Sequence, residues 1–152
     1  MKIKKTKILT DKQKDEINTL WNNEYPAHLK DRFSILLDHA DWYNHYIIED
    51  LENNVIAWAV DFKKENQVRF SIIVSQIYKG KGIGGMLIEK LKAENDNFYG
   101  WVIDHNNDFK LNGEHYNTPM PFYLKHGFEI LNDQRIDNEM IRAVLIKWVS
   151  QN

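Results

Sequence analysis

The sequence predicts an α+β fold, with a mixed central sheet of about six or seven strands flanked by about four helices. Three features of the pattern predict it. Apolar residues at helical spacing fill much of the first forty positions, and three short apolar runs separated by turn residues follow. A segment dense in glycine, Gly80 to Gly85, then switches the chain from strand to helix. Beyond it the pattern reads strand, short helix, strand, strand.

Each element has its own signal. Residues 2–9 alternate loosely and suit an edge strand. Thr10 and Gln13 form a capping box, which starts a helix at Asp11. Ile17, Leu20 and Trp21 lie on one face of that helix. A second helix is expected over 28–40, with Leu29, Phe33, Leu36 and Leu37 inward. Tyr46–Ile48 and Val55–Phe62 read as strands joined by a turn at Asn53-Asn54. A turn at 63–66 leads to a third strand, Val68–Val74. Met86–Lys92 is an amphipathic helix, and Phe98–Ile103 an apolar, central strand. A polar stretch, 104–117, follows. Thr118-Pro119 reads as an N-cap with proline at the first helical position, and Gly127 as the stop. Phe128–Leu131 and Ala143–Val149 supply the last strands.

Bulk properties narrow the function. The 152 residues suit one domain, 1–152, with no repeat and no linker. Apolar residues make up 43%, enough for a real core. There is no cysteine, so disulfides, Cys-zinc sites and a thiol nucleophile are excluded. The net charge of −2 argues against a nucleic-acid partner. No apolar run approaches a membrane span, and the N-terminus does not read as a secretory leader. A cytoplasmic protein is the expectation.

The glycine segment carries the chemistry. Glycines let backbone N–H groups approach an anion, and a helix start adds roughly half a positive charge. Lys79 and Lys81 add cations. A nucleoside-triphosphate loop is excluded, because no Ser or Thr follows a Gly-Lys pair at the required spacing. Gly80, Gly82 and Gly85 do spell the dinucleotide fingerprint, with Asp104 about 20 residues on. Two facts oppose that reading. Five residues separate Val74 from Gly80, and only 48 follow Asp104.

Lys79-Gly80-Lys81-Gly82-Ile83-Gly84 resembles the acetyl-CoA loop of the Gcn5-related N-acetyltransferases (GNAT), Arg/Gln-x-x-Gly-x-Gly/Ala, with Lys79 at the Arg/Gln position. Pro121–Glu129 resembles the same family's Phe-Tyr-x-Lys-x-Gly-Phe signature. The two motifs stand in the family's order, and the resemblance covers roughly residues 46 to 131. Departures are Tyr116 and Pro119, where the family often has Asn and Ala. Asn117 is one step from the asparagine position. The 104–117 loop is longer than usual.

The resemblance implies a GNAT-like fold and direct transfer of an acetyl group from acetyl-CoA to a primary amine. It implies that Ile72, Ile73, Val74, Lys79, Gly80, Lys81, Gly82, Ile83, Gly84, Gly85, Asn117, Phe122, Tyr123 and Lys125 contact the cofactor. It also implies that a backbone N–H near Ile72–Ser75 polarises the acetyl carbonyl, and that Tyr123 is the general acid. Glu24, Asp104 and His105 are the base candidates; Asp61, Glu114 and His115 are further ones. Aromatic residues Tyr25, Trp42, Tyr43 and Tyr46 suggest a wall for a flat or cationic amine. No metal site is expected. The apolar strand Ala143–Val149 suggests a homodimer by strand pairing. The alternatives are a CoA-binding member of the family without catalysis and a dinucleotide-binding oxidoreductase.

Overall fold

The computed structural model describes residues 1–151. Seven strands form one sheet in the order β1-β2-β3-β4-β5-β7-β6. β1 (Ile3–Thr6), β2 (Trp42–Glu49), β3 (Val55–Lys64) and β4 (Gln67–Val74) pair antiparallel in sequence order. The β2–β3 turn is fixed by Asp50, whose Oδ1 accepts from the amides of Glu52 and Asn54, each at 2.9 Å. The β3–β4 turn needs only Glu65 and Asn66, both at positive φ, as a tight hairpin requires.

β5 (Asn97–Val102) lies beside β4 in parallel, but the two strands are in register only at Arg69 and Tyr99. Beyond that pair they diverge. β5 pairs along its whole length with β7 (Arg142–Val149), and β6 (Glu129–Asp137) closes that side. The sheet is therefore split at its centre, where the last residues of β4 have no neighbour on the β5 side.

Helices cover both faces. α1 (Asp11–Glu24) packs Ile17, Leu20 and Trp21 on Ile47, Trp58 and Val60. The opposite face carries α2 (Ile83–Glu94) and α3 (Met120–Lys125), whose Leu87, Ile88, Leu91 and Tyr123 meet Phe70, Phe98 and Val144. The Thr10–Gln13 capping box forms in both directions. α3 ends in a Schellman motif: Gly127 at φ +87° donates to Leu124 O, and Phe128 N–H to Tyr123 O. No helix among the described residues is long and apolar enough to cross a membrane.

Four expectations are corrected. The stretch 28–40 is not a helix but two 3-10 turns, Ala27–Leu29 and Arg32–Ile35. Asp31 between them is left-handed, φ +62°, and its carboxylate accepts from the side chains of Asn18 and Asn22. Those α1 contacts interrupt the helix while Phe33, Leu36 and Leu37 still pack inward. The sheet is accordingly flanked by three α-helices. Second, the N-cap of α3 is Pro119, and Thr118 helps from one position earlier, accepting from Met120 N–H and donating to Ile103 O. Third, β6 extends to Asp137 through an irregularity after Leu131. Last, β7 is interior, paired on both sides, so it offers no edge to a second chain; the edges are β1 and β6.

Candidate functional site

The local backbone explains the glycine segment. Gly80 and Gly82 have φ of +80° and +79°, and a Cβ at either would meet nothing within 4 Å. Their role is conformational: they turn the chain sharply so that α2 starts at Ile83. Among the described residues, no amide from Gly80 to Gly85 has a hydrogen-bond acceptor. The result is a row of outward N–H donors at the positive end of a helix. Gly84 has a different reason. A Cβ there would lie 3.1 Å from Cζ of Phe122, so α2 and α3 touch where the two glycine and aromatic motifs meet.

The split in the sheet opens a cavity of about 990 Å³ that runs to this helix start. Ile72, Ile73, Val74, Lys79, Gly80, Gly82, Ile83, Gly84, Gly85, Asn117, Phe122, Tyr123 and Lys125 all line it. Lys81 does not; its ammonium lies 5.6 Å from the centre of the Tyr78 ring. Because the end of β4 is paired with β3 alone, one edge of its backbone faces the cavity unpaired by any strand.

Glu24, the last residue of α1, also lines the cavity and is buried. Its Oε2 accepts from the Gln76 amide at 2.9 Å. Its Oε1 lies 3.3 Å from Lys79 Nζ and 3.5 Å from Lys110 Nζ. Lys110 is itself buried, and it comes from the 104–117 loop. One carboxylate thus joins α1, the glycine segment and that loop. The loop is further held by Ala27 N–H, which donates to Phe109 O at 2.8 Å, and by a bridge between Phe109 and His115.

Three tyrosines converge between the two faces. Tyr123 is buried, with Phe122 edge-on at 5.2 Å between ring centres. Burial, and then the nearness of Tyr25 and Tyr116, raise its hydroxyl well above the ordinary phenol range. Tyr116 and Tyr25 are raised as well, each mainly by burial. All three therefore stay protonated at neutral pH. Tyr25 Oη and Ser71 Oγ are 3.0 Å apart.

Other candidate groups lie elsewhere. Asp104 is clamped by both terminal nitrogens of Arg135, at 2.7 and 3.2 Å, which holds its carboxyl below the usual range. His105 faces a small separate cavity with Asp108 and Arg142. Asp61 is buried under Tyr46, Asn44 and Asn95. Of the aromatic wall, only Tyr25 reaches the cavity; Tyr46 is in the core. Among the described residues no three His, Asp or Glu side chains are grouped for a metal ion.

Several lining residues escaped the sequence reading: Arg32, Lys64, Arg69, Ser71 and Trp101. Two had a signal. Arg69 and Ser71 are the two polar residues in the otherwise apolar run 68–74 and alternate with apolar ones, so they share the face opposite Phe70 and Ile72. Lys110, which pairs with Glu24 rather than lining the cavity, had none, since a buried lysine in a polar loop looks like any exposed one.

Solved structures share this fold. ElaA from Escherichia coli superposes with a TM-score of 0.71 at 14% identity, covering 97% of this chain and 99% of that one. The aminoglycoside 6'-N-acetyltransferase from Enterococcus faecium gives 0.70 at 13%, covering 98% and 97%. A phosphinothricin acetyltransferase from Sinorhizobium meliloti, solved in complex with AcCoA, gives 0.62 at 15%, covering 100% and 91%. At these identities the likeness is one of fold. No curated protein matches by sequence. The family model described as "Acetyltransferase (GNAT) domain" matches residues 41–130, which spans both motifs and the split strands. The chain belongs to the GNAT acetyltransferase family of acyltransferases.

Proposed function

We propose that this chain transfers an acetyl group from acetyl-CoA directly to a primary amine. The observation that carries the reading is the row of unpaired amides from Gly80 to Gly85, opening into a cavity large enough for a nucleotide-bearing ligand. Those amides and Lys79 suit a pyrophosphate. The unpaired edge of Ile72–Val74 suits the amide-bearing arm of CoA, which can add to a strand. The match between donors and ligand rests on this chain's own geometry.

Acetyl-CoA supplies an acyl thioester. The chain's residues do the rest. A backbone N–H at the end of β4 faces the carbonyl oxygen, where donors stabilise developing negative charge. The neutral amine forms the new C–N bond, and the C–S bond breaks with its electron pair going to sulfur. The nitrogen's proton passes to solvent water, and the thiolate gains one from Tyr123, which recovers its own from solvent. Tyr123, buried and held protonated, is the donor to that thiolate. Glu24 has both oxygens engaged by Gln76, Lys79 and Lys110, so its role is to fix the phosphate-facing lysine rather than to take the proton.

The test is acetyl-CoA turnover against an amine library, with thermal stability measured alongside. Acetyl-CoA is expected to raise the melting temperature while NAD leaves it unchanged. Turnover of any amine supports transfer. Stabilisation by CoA without turnover across the library identifies a non-catalytic CoA-binding member instead, and no response to CoA at millimolar concentration overturns the reading.

A further inference from the structure

The cavity has two faces, and their charges differ in origin. On the α2 face the cations Lys79 and Lys125 lie near the helix start, where a cofactor's phosphates account for them. The α1 face carries three more: Arg32 from the second 3-10 turn, Lys64 from the end of β3, and Arg69 from β4. Phosphates at the helix start do not explain these. Arg69 shares its face of β4 with Ser71, which reaches Tyr25 of α1 at 3.0 Å, whereas Phe70 and Ile72 point to the α2 side.

Among residues lining the cavity the only acid is Glu24, and two lysines already neutralise it. Composition does not force this imbalance, since the whole chain carries 22 acidic and 20 basic residues. The three α1-face cations are weakly satisfied. Arg32 has no hydrogen-bond or ion-pair partner among the described residues. Lys64 donates only to Leu36 O, at 3.0 Å. Arg69 is only 20% exposed; its Nε donates to Gln67 Oε1 at 2.9 Å, and its terminal nitrogen faces only the 82% exposed Glu65, 3.6 Å away. A guanidinium has five N–H donors, so both groups keep terminal donors with which to receive an oxyanion. The lining also includes the apolar side chains of Ile35, Leu36 and Trp101.

We propose that the acceptor is a small amine that also carries an oxyanion, in the manner of an apolar α-amino acid, with its anionic group held by Arg69 and Arg32. This deepens the acetyltransferase reading and rests on it. The field of this face repels polycationic amines, because like charges brought together in a cleft cost binding energy and slow encounter. It also replaces the cationic amine suggested by the aromatic residues in the sequence.

The experiment compares matched acceptors in an assay of thiol release from acetyl-CoA: apolar L-amino acids, their carboxamides, the corresponding aminophosphonates, and spermidine. The expected result is a kcat/KM at least tenfold higher for the acid than for its amide, with spermidine poorest. Acceptance of the aminophosphonate would show that charge rather than carboxylate shape is read, which also supports the proposal. Arg69→Gln and Arg32→Gln are expected to raise the acceptor KM about tenfold, with kcat and the KM for acetyl-CoA nearly unchanged. That unchanged cofactor KM excludes misfolding as the cause. Amides or spermidine used as well as the acid overturn the proposal while leaving the acetyltransferase intact. Absence of turnover with every amine removes the parent reading, and this one with it.

Discussion

Replacing Gly100 with alanine is expected to destabilise the protein and to disturb the cavity together. Gly100 lies in β5, one residue past the only pair that joins β5 to β4. A Cβ placed there would fall 2.4 Å from Cε1 of Phe70, 2.9 Å from Cδ1 and 3.0 Å from Cζ. The ring cannot swing aside freely, because Phe98, Tyr123 and Phe128 surround it at 5.2 to 5.6 Å between ring centres. Overpacking of this kind costs roughly 1–3 kcal/mol, offset in part by the 0.5–1 kcal/mol that alanine gains over glycine in a strand. A net loss of about 1 kcal/mol corresponds to a melting temperature lowered by roughly 2–4 °C for a chain of this size. Circular dichroism melts measure it, and Gly85→Ala serves as the comparison. A Cβ at Gly85 meets only His126, at 3.4 Å, so that variant is expected to melt at or above the parent. Displacing Phe70 also pushes on Tyr123, so acetyl transfer should fall more than stability alone explains. A Gly100→Ala melting temperature within a degree of the parent would refute the claim that Phe70 needs the missing side chain.

Tyr123→Phe is expected to lower kcat by 10²–10³-fold, with the acetyl-CoA KM little changed. The raised hydroxyl keeps its proton well above pH 10, so the parent should show no falling alkaline limb of kcat below that pH; a limb near pH 8–9 that disappears in Tyr123→Phe would contradict the assignment. Gly82→Ala forces a side chain into φ +79°, costing roughly 1–2 kcal/mol, and should weaken CoA binding more than it lowers stability; equal binding by calorimetry would remove the loop from the site. His45 is buried, accepts from Trp58 Nε1 at 3.0 Å, and has its pKa lowered by burial to about 4. The unfolded chain therefore binds the extra proton first, and stability should be constant above pH 6.5 and fall by roughly 2–3 kcal/mol between 6.5 and 4. His45→Gln should flatten that slope, measured by urea unfolding across the range; an unchanged slope assigns it to other groups.

Elements whose signals are local were legible. The Thr10–Gln13 box and the Gly127 stop depend on neighbours within a few residues, and each forms at the expected residues, while the two hairpin turns form at the expected places with shifted bounds, 50–54 and 65–66. The stretch 28–40 was not legible, although its apolar spacing is helical. Its break comes from Asn18 and Asn22, which hold Asp31 in a left-handed conformation from another element. The same division runs through the cavity. The glycine and Phe-Tyr motifs are contiguous in sequence and were found. The α1-face cations come from three separate elements, and only the fold places them together.

Glu24 shows how that division bears on the departure at Lys79. A lysine at this position looks, in sequence, like a weaker version of a guanidinium, because it lacks the fork that grips a phosphate. The structure gives it a fixed post instead. Glu24 holds the ammonium at 3.3 Å and the Gln76 amide of the preceding turn at 2.9 Å, while Lys110 shares the same oxygen from the long loop. A flexible side chain tethered this way loses less freedom when an anion arrives. The arrangement also explains the loop's length, since it must carry Lys110 to the end of α1. Glu24→Gln leaves Lys110 buried without its counter-charge, which costs about 3 kcal/mol. Lys110→Met removes the need for the charge and costs less, so the two variants should separate in urea unfolding. If Glu24→Gln proves the milder of the two, the carboxylate is not what joins helix, glycine segment and loop.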